Sequence, residues 1–350
     1  MAREHHEHED HATRSERRAQ QRAAAVAGGV PERGDEPPAP VAASVAAPLS
    51  LARLLPRPLA YVFGGGGAYG AVQMGMIRAL HETDLRPDLV VGTSVGSLNG
   101  VMIAADPDHG PDVLADLWPQ IERRDVFPGN MLTQAISAGT NRPYLFNPGP
   151  LTELLAAHVP VDRIEDLTLP YVAVATDLDT GERVEIDSGD VRSALLASSA
   201  IPGVFPWVER DGRRLVDGGL VSNVPIEVAY ARGAKSVVVL DCGRFGMEGR
   251  WAESLIAVVI QAVQIAARQQ VVRDLQVAEE IPLLYLPAPE QIASSMLDFR
   301  FTEQLAADAY ADASSMLAAL ALHPSPLAPG LYGTPPLRAD HPEVAPLQRW

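Results

Sequence analysis

Between residues 59 and 320 the apolar positions fall into two alternating kinds of run. Short continuous ones predict strands at Leu59–Phe63, Leu89–Val91, Tyr171–Ala175, Ser236–Leu240 and Leu283–Leu286, with more polar strands at Arg183–Ile186 and Arg214–Val216. Longer stretches predict helices over Ala71–Thr83, where Val72, Met76, Ile77 and Leu80 fall at helical spacing, and over Val95–Ala105, Val113–Ile121 and Leu151–His158. Further helices are expected at Val191–Ser198, Glu253–Glu279 and Thr302–Leu320. Strands separated by helices imply an α/β fold, with a largely parallel sheet covered on both faces. Trp207–Gly219 reads as a hairpin turning at Asp211-Gly212. Phe127–Pro148, with scattered Pro, Gly and Asn, is the least regular part of the core, and there are no internal repeats.

The pattern fades at both ends. Residues 1–50 read as a disordered polar tail, 51–322 as the folded domain and 323–350 as a Pro-rich C-terminal tail. His5, His6, His8 and His11 are spaced to catch a metal ion adventitiously, but flexible ligands bear an ordering cost and no functional metal site is expected there. No apolar signal core stands at the N-terminus, and the most apolar run, Leu255–Ala267, is broken by Gln261 and Gln264. It reads as a buried helix.

Composition narrows the chemistry. A hydrophobic fraction of 47% over 350 residues is enough to bury a core. Lys+Arg 28 against Asp+Glu 44 gives a net charge of −16, which argues against nucleic acid as a partner and against charge-driven attachment to anionic membrane. Lys235 is the sole lysine, so neither a Walker-type phosphate loop nor Schiff-base chemistry is well served. Cys242 is the sole cysteine, which excludes an intrachain disulfide and a Cys-based metal cage and fits a reducing, cytoplasmic compartment.

Three segments sit where a strand gives way to a loop. Gly64-Gly65-Gly66-Gly67-Ala68-Tyr69-Gly70 lets backbone N–H groups converge at a helix start, a site for negative charge. Gly65–Gly70 also satisfies the dinucleotide pattern, but the next strand runs into Gly92-Thr93-Ser94 without the acid a ribose would need. Gly92-Thr93-Ser94-Val95-Gly96 is a G-x-S-x-G elbow in the strand–turn–helix context such a motif requires. Alternatively, Ser94 merely caps the following helix. The glycine loop one βα unit upstream favours the first reading, since donors to an oxyanion are worth about 10²–10³ in rate each.

A serine nucleophile needs a base, and no histidine stands on a post-strand loop after Ser94; His158 ends a helix of ordinary Leu/Ala pattern. Asp217 closes an apolar strand and is followed by Gly218-Gly219, which leave its carboxylate approachable. It either caps a turn or, with its pKa raised by burial, takes the proton of Ser94 directly.

These three segments, in this order, resemble the patatin-like phospholipase family, and in particular its bacterial and neuropathy-target-esterase-type members, over roughly residues 59–320. Ala197–Pro206, Asn223-Val-Pro225 and Gly233–Asp241 support the likeness. The resemblance implies a three-layer α/β/α fold with Ser94 as nucleophile, Asp217 as base and the backbone of Gly65, Gly66 and Gly67 as oxyanion hole. Gly70, Gly92, Gly96, Gly218 and Gly219 shape these turns. The implied reaction is acyl transfer from a lipid ester through an acyl-enzyme, of phospholipase A or lysophospholipase type, without metal or organic cofactor. Expected partners are the acyl-ester substrate and, transiently, a membrane surface.

Tyr69 departs from the family, which usually carries Arg or Lys there, so a cation that would help polarise the oxyanion is missing. Two alternatives therefore stay open: an esterase or thioesterase of small soluble substrates, and a non-catalytic binding protein on the same fold. Asn99, Asn223 and Pro225 are expected to satisfy or shape backbone. Tyr171, Phe205 and Trp207 read as core aromatics, Arg210, Arg213 and Arg214 as a solvated hairpin, and Cys242 as an inert buried thiol.

Overall fold

A computed structural model of the chain describes residues 50–128, 143–242, 255–286, 288–289, 296–333 and 335. The expected N-terminal tail with its histidines, the middle of the irregular segment, the expected helix start at Glu253 and most of the C-terminal tail lie outside the described residues.

The strands are β1 (Leu59–Phe63), β2 (Leu89–Thr93), β3 (Tyr171–Asp177), β4 (Arg183–Ile186), β5 (Val208–Arg210), β6 (Arg213–Asp217), β7 (Ser236–Leu240), β8 (Pro282–Leu286) and β9 (Gly330–Gly333). They form one sheet in which β3, β2, β1, β7, β8 and β9 run parallel as successive neighbours. The β5–β6 hairpin and β4 join β3 antiparallel. The hairpin turns at Asp211 and Gly212, both at positive φ, as a two-residue primed turn requires.

The pairing of β3 explains the site. Val174 pairs with both Thr93 of β2 and Glu185 of β4, and Ala175 with both Asp217 of β6 and Val184 of β4. A strand has two edges. With β4 along one of them, β2 and β6 share the other, and because they run in opposite directions their C-terminal ends meet head to head at Val174 and Ala175. Ser94 follows the end of β2 and Asp217 is the end of β6, so two residues 123 positions apart become neighbours.

Nine helices among the described residues cover the sheet: α1 (Gly70–His81), α2 (Val95–Ala105), α3 (Gly110–Leu117), α4 (Arg123–Val126), α5 (Gly149–His158), α6 (Val191–Ser198), α7 (Ile226–Ala231), α8 (Leu255–Asp274) and α9 (Thr302–Ala321). Alternation along the strands divides the core in two. Leu59, Tyr61 and Phe63 of β1 face one cluster with Ala71 and Val72 of α1, Val101 of α2 and Leu305 of α9. Ala60 and Val62 face the other, with Ile226 and Val228 of α7 and Val271 of α8. The result is the expected α/β/α layering around a mainly parallel sheet.

Departures from the sequence pattern are local. Pro111 lets α3 begin a turn early, and Pro119 tightens its end into a 3-10 turn at Trp118–Gln120. α4 and α7 are too short to show periodicity. β9 forms within the Pro-rich stretch, where Leu331 pairs with Leu283 and Tyr332, buried, pairs with Leu284. A four-residue Gly-Leu-Tyr-Gly run carries no pattern of its own and takes strand form from the edge of β8. Among the described residues no helix is long and apolar enough to cross a membrane.

Candidate active site

Ser94 stands between β2 and α2 with φ 54° and ψ −129°, a conformation a side chain rarely adopts. It is held from both sides. Its N–H donates to Ser198 Oγ at 2.9 Å, and that hydroxyl donates to Val174 O at 2.7 Å, so the last residue of α6 ties the elbow to β3. Ser94 O accepts from the N–H and the hydroxyl of Ser97 at 2.8 and 2.7 Å. The flanking glycines are required by contact: a Cβ on Gly96 would lie 2.4 Å from Phe63 O, and one on Gly92 2.5 Å from Gly96 O. The Ser94 side chain makes no cap to α2. Its hydroxyl instead stands near enough to the carboxylate of Asp217 to pull that group's pKa down.

Asp217 is 4% exposed. Its N–H donates to Ala200 O at 3.0 Å, its carbonyl accepts from Thr176 Oγ1 at 2.9 Å, and Oδ1 accepts from Gly219 N–H at 2.7 Å. The turn-capping reading is thus true as well, and does not compete with a carboxylate placed beside Ser94. Burial raises the carboxyl from 3.8 to about 6, although the Ser94 hydroxyl and the hydrogen bond from Gly219 pull the other way. Gly218 is packed so closely on β3 that a Cβ would sit 2.3 Å from Val174 O.

The glycine loop leaves β1 beside this pair. Gly64 N–H donates to Leu240 O and Gly65 N–H to Asn223 O, both at 3.0 Å, and Asn223 Nδ2 returns a bond to Gly65 O at 3.3 Å. The Gly65 amide, expected as an oxyanion donor, is therefore already engaged. Gly66 and Gly67 differ: among the described residues neither N–H finds an acceptor, while Ala68 N–H goes to Met296 O and Tyr69 N–H to Gly66 O. Gly66 lies against Cys242, where a Cβ would approach the cysteine Cβ to 2.5 Å. Cys242 is accordingly a wall of the loop, its thiol 3.4 Å from Gly64 O and pushed up in pKa by burial. Gly70 opens α1 against Val95 and Trp118.

Two cavities meet at Ser94. One, the more polar of the two, is lined by Gly65, Gly66, Tyr69, Asp217, Asn223 and Gly219 together with apolar side chains such as Ile201, Val263 and Met296. The other is apolar, extends over α2 and α5, and includes Gly67, Val95, Leu98, Met102 and Leu154. Its wall is a chain of rings: Trp118 stacks on Phe299 at 6.2 Å, Phe299 lies 6.4 Å from Phe127, and Phe127 stacks on Phe205 at 5.5 Å. Phe205, expected as core, is buried and also lines this chamber.

Two positioning residues escaped the sequence reading. Gln73, fully buried on α1, donates from Nε2 to Gly64 O at 2.8 Å and Leu240 O at 2.9 Å, and accepts from Asn99 Nδ2 at 2.7 Å. Asn99 also donates to Gly70 O and accepts from Trp118 Nε1 at 2.9 Å, so it serves α1 and Trp118 rather than the first turn of its own helix. Ser198 is the second. The available signals were a glutamine within an apolar helical face and the paired serines of Ala197-Ser-Ser-Ala200. Of the described histidines, His109 bonds to Asp106 and His323 to Ser325 O, His158 bonds to Leu154 O while lining the second cavity, and His81 Nδ1 is buried without a partner among the described residues. Arg210 and Arg214 are bound to Ser188 O and Asp179, as a hairpin surface would have them. Among the described residues no group of three His, Cys, Asp or Glu could hold a metal ion.

Residues 61–230 match the profile of the patatin-like phospholipase family. Those residues form a patatin-like phospholipase domain. Patatin-like phospholipase domain-containing protein 7 of Rattus norvegicus is 33% identical over 198 residues, 55% of this chain and 14% of that protein. Lysophospholipase NTE1 of Mycosarcoma maydis is 33% identical over 201 residues, 55% of this chain and 10% of that one. The chain thus spans a small part of the length of these relatives. Among solved structures, VipD from Legionella pneumophila aligns with 75% of this chain and 66% of its own at 14% identity and a TM-score of 0.35.

Proposed function

We propose that this patatin-like domain hydrolyses carboxylic esters of lipids with Ser94 as nucleophile and Asp217 as general base. The observation that carries the reading is a hydroxyl withheld from helix capping beside a buried carboxylate whose pKa it lowers, next to two amides without acceptors among the described residues. Ser94 Oγ attacks the ester carbonyl as Asp217 takes its proton. The charge on the carbonyl oxygen falls to Gly66 and Gly67 N–H, and collapse expels the alcohol, which leaves with the proton from Asp217. Water then attacks the acyl-serine with Asp217 again as base. The second collapse returns the proton to Ser94 and frees the fatty acid.

A carboxyl at about 6 is ionised at neutral pH yet far more basic than a free aspartate, so a histidine is dispensable. The apolar chamber favours a long acyl chain over a small soluble ester, because its lining would remain poorly covered by an acetyl or butyryl group. Tyr69 lines the polar cavity and supplies no cation, so the reading rests the oxyanion on the two backbone amides.

The test is fatty-acid release from lysophosphatidylcholine together with labelling by a fluorophosphonate. Wild type should do both, and Ser94→Ala neither, with its melting temperature unchanged within a few degrees. Substantial release by Ser94→Ala, or labelling that maps to another residue, sinks the assignment.

A further inference from the structure

α8 has two working faces. Inward, Val263, Gln264 and Ala267 line the polar cavity at Ser94, and Gln270 Nε2 donates to Leu220 O just beyond Gly219, so the helix lies across the mouth of the site and is pinned to the loop that carries Asp217. Outward, Val258, Ala262, Ile265 and Gln269 fall at spacings of four, three and four residues and are exposed, Ile265 by 58% and Val258 by 50%. A helix apolar on both sides is ordinarily buried on both. Here the outer side faces water.

We propose that this outer face is a docking surface for a zwitterionic lipid layer, which brings the mouth of the site against the phase that holds its substrate. Charge supports that occupant. The chain carries −16, yet from Leu255 to Arg273 the helix has no aspartate or glutamate and only two arginines, Arg268 and Arg273, so neutral headgroups there meet no carboxylate of this span. The same balance makes a strongly anionic layer a poorer partner. Two aliphatic side chains two turns apart on one helix face suit shallow insertion among acyl chains, reversible and well short of a membrane span. The inference rests on the lipid-ester reading for its purpose, but binding can be measured without turnover.

Flotation of Ser94→Ala protein with phosphatidylcholine vesicles isolates docking from chemistry. That protein should float, and adding Val258→Asp and Ile265→Asp to it should weaken binding roughly tenfold or more. Leu322→Asp, a change of the same kind at an exposed apolar site at the end of α9, should leave binding as it was. In the Ser94 background of the native chain, the α8 pair should lower hydrolysis of vesicle-borne ester at least as much while hydrolysis of monomeric p-nitrophenyl butyrate stays within about twofold. Adding phosphatidylglycerol to the vesicles should not tighten binding.

Equal flotation of the α8 variant and its parent overturns the proposal, as does failure of the parent to float. Sedimentation showing a dimer that the α8 pair disperses, with no vesicle binding, would make this face a contact between two copies instead. Flotation without hydrolysis of any ester would spare the docking surface and end the proposed function.

Discussion

The two sides of Ser94 are built by opposite means. On the polar side the parts are backbone: amides of a glycine loop, the carbonyls that fix them, and one carboxylate at a strand end. On the apolar side, Gly67 and Ser94 apart, the lining is mostly residues with apolar side chains from α2, α3, α5 and the loops around Phe127, Phe205 and Phe299. Backbone geometry at that density tolerates few residue types, so it leaves contiguous motifs. A chamber of side chains tolerates many, provided volume and polarity are kept, and leaves none. The polar side should therefore fail abruptly on substitution, and the apolar side by degrees.

The largest effect is expected for Asp217→Asn, which keeps the shape and removes the base: kcat should fall by about 10⁴. In wild type, kcat/KM should decline tenfold per pH unit below about 6, the range in which Asp217 takes up its proton. Stability should move the other way. The folded carboxyl holds its proton more tightly than the unfolded one, so the associated stabilisation is full below about pH 4 and is lost as pH rises through 6. An ionised Asp217 at pH 8 then costs up to about 3 kcal/mol. Asp217→Asn should melt several degrees higher than wild type at pH 8, and show no such advantage at pH 4. A melting difference independent of pH would mean that burial of this charge is not what the fold tolerates for function.

Next is Gly66→Ala. Its Cβ meets the Cβ of Cys242, so the amides that should hold the oxyanion must move, and kcat should fall by about 10² while KM changes little. Removing the opposing atom tests the cause directly: Cys242→Gly in the Gly66→Ala background should recover part of the rate, whereas Cys242→Ser, which keeps that Cβ, should not. Equal rates in both double variants would sever the link between loop position and rate.

A milder and chain-dependent loss is expected in the chamber. Leu98→Gln places an amide among apolar side chains, and kcat/KM for a long-chain lysophospholipid should fall about tenfold, with short-chain esters nearly unaffected. A uniform loss for all chain lengths would show that the chamber is structural and that the acyl chain lies elsewhere.

The same contrast governs what could be read from the chain itself. The elbow at Ser94, the Asp-Gly-Gly at 217 and the glycine loop were visible because a Cβ at Gly96 or Gly218 would strike a carbonyl, which leaves one residue type possible. The mainly parallel sheet was legible as far as βα alternation reaches. The head-to-head meeting of β2 and β6 on one edge of β3 was not, since register is a property of pairs and not of segments. Nor was the engagement of the Gly65 amide, which depends on where Asn223 O arrives. The ring wall was hidden for another reason: Trp118, Phe127, Phe205 and Phe299 come from three separate stretches of the chain and follow no common spacing. Gln73 stood in plain view as a polar residue on an apolar face, with a use that only its partners reveal.

One polar thread joins the two sides, and it offers the subtlest test. Trp118 in the ring wall donates to Asn99, Asn99 donates to Gln73, and Gln73 donates to Gly64 O at the root of the glycine loop. Trp118→Phe keeps an aromatic ring beside Phe299 but leaves Asn99 Oδ1 buried without its donor, a loss of about 1–3 kcal/mol in denaturant unfolding. If the thread holds the loop in place, kcat should also fall, by about twofold to fivefold, for short and long acyl chains alike, since the amides rather than the chamber are disturbed. If the thread is only packing, stability should drop while kcat stays put, and any change should appear in KM for long chains. Asn99→Asp, which keeps the acceptor for Trp118 but loses the donor to Gln73, separates the links: it should reproduce the kcat loss with the ring wall intact, and an unchanged kcat would confine the coupling to the Trp118 end.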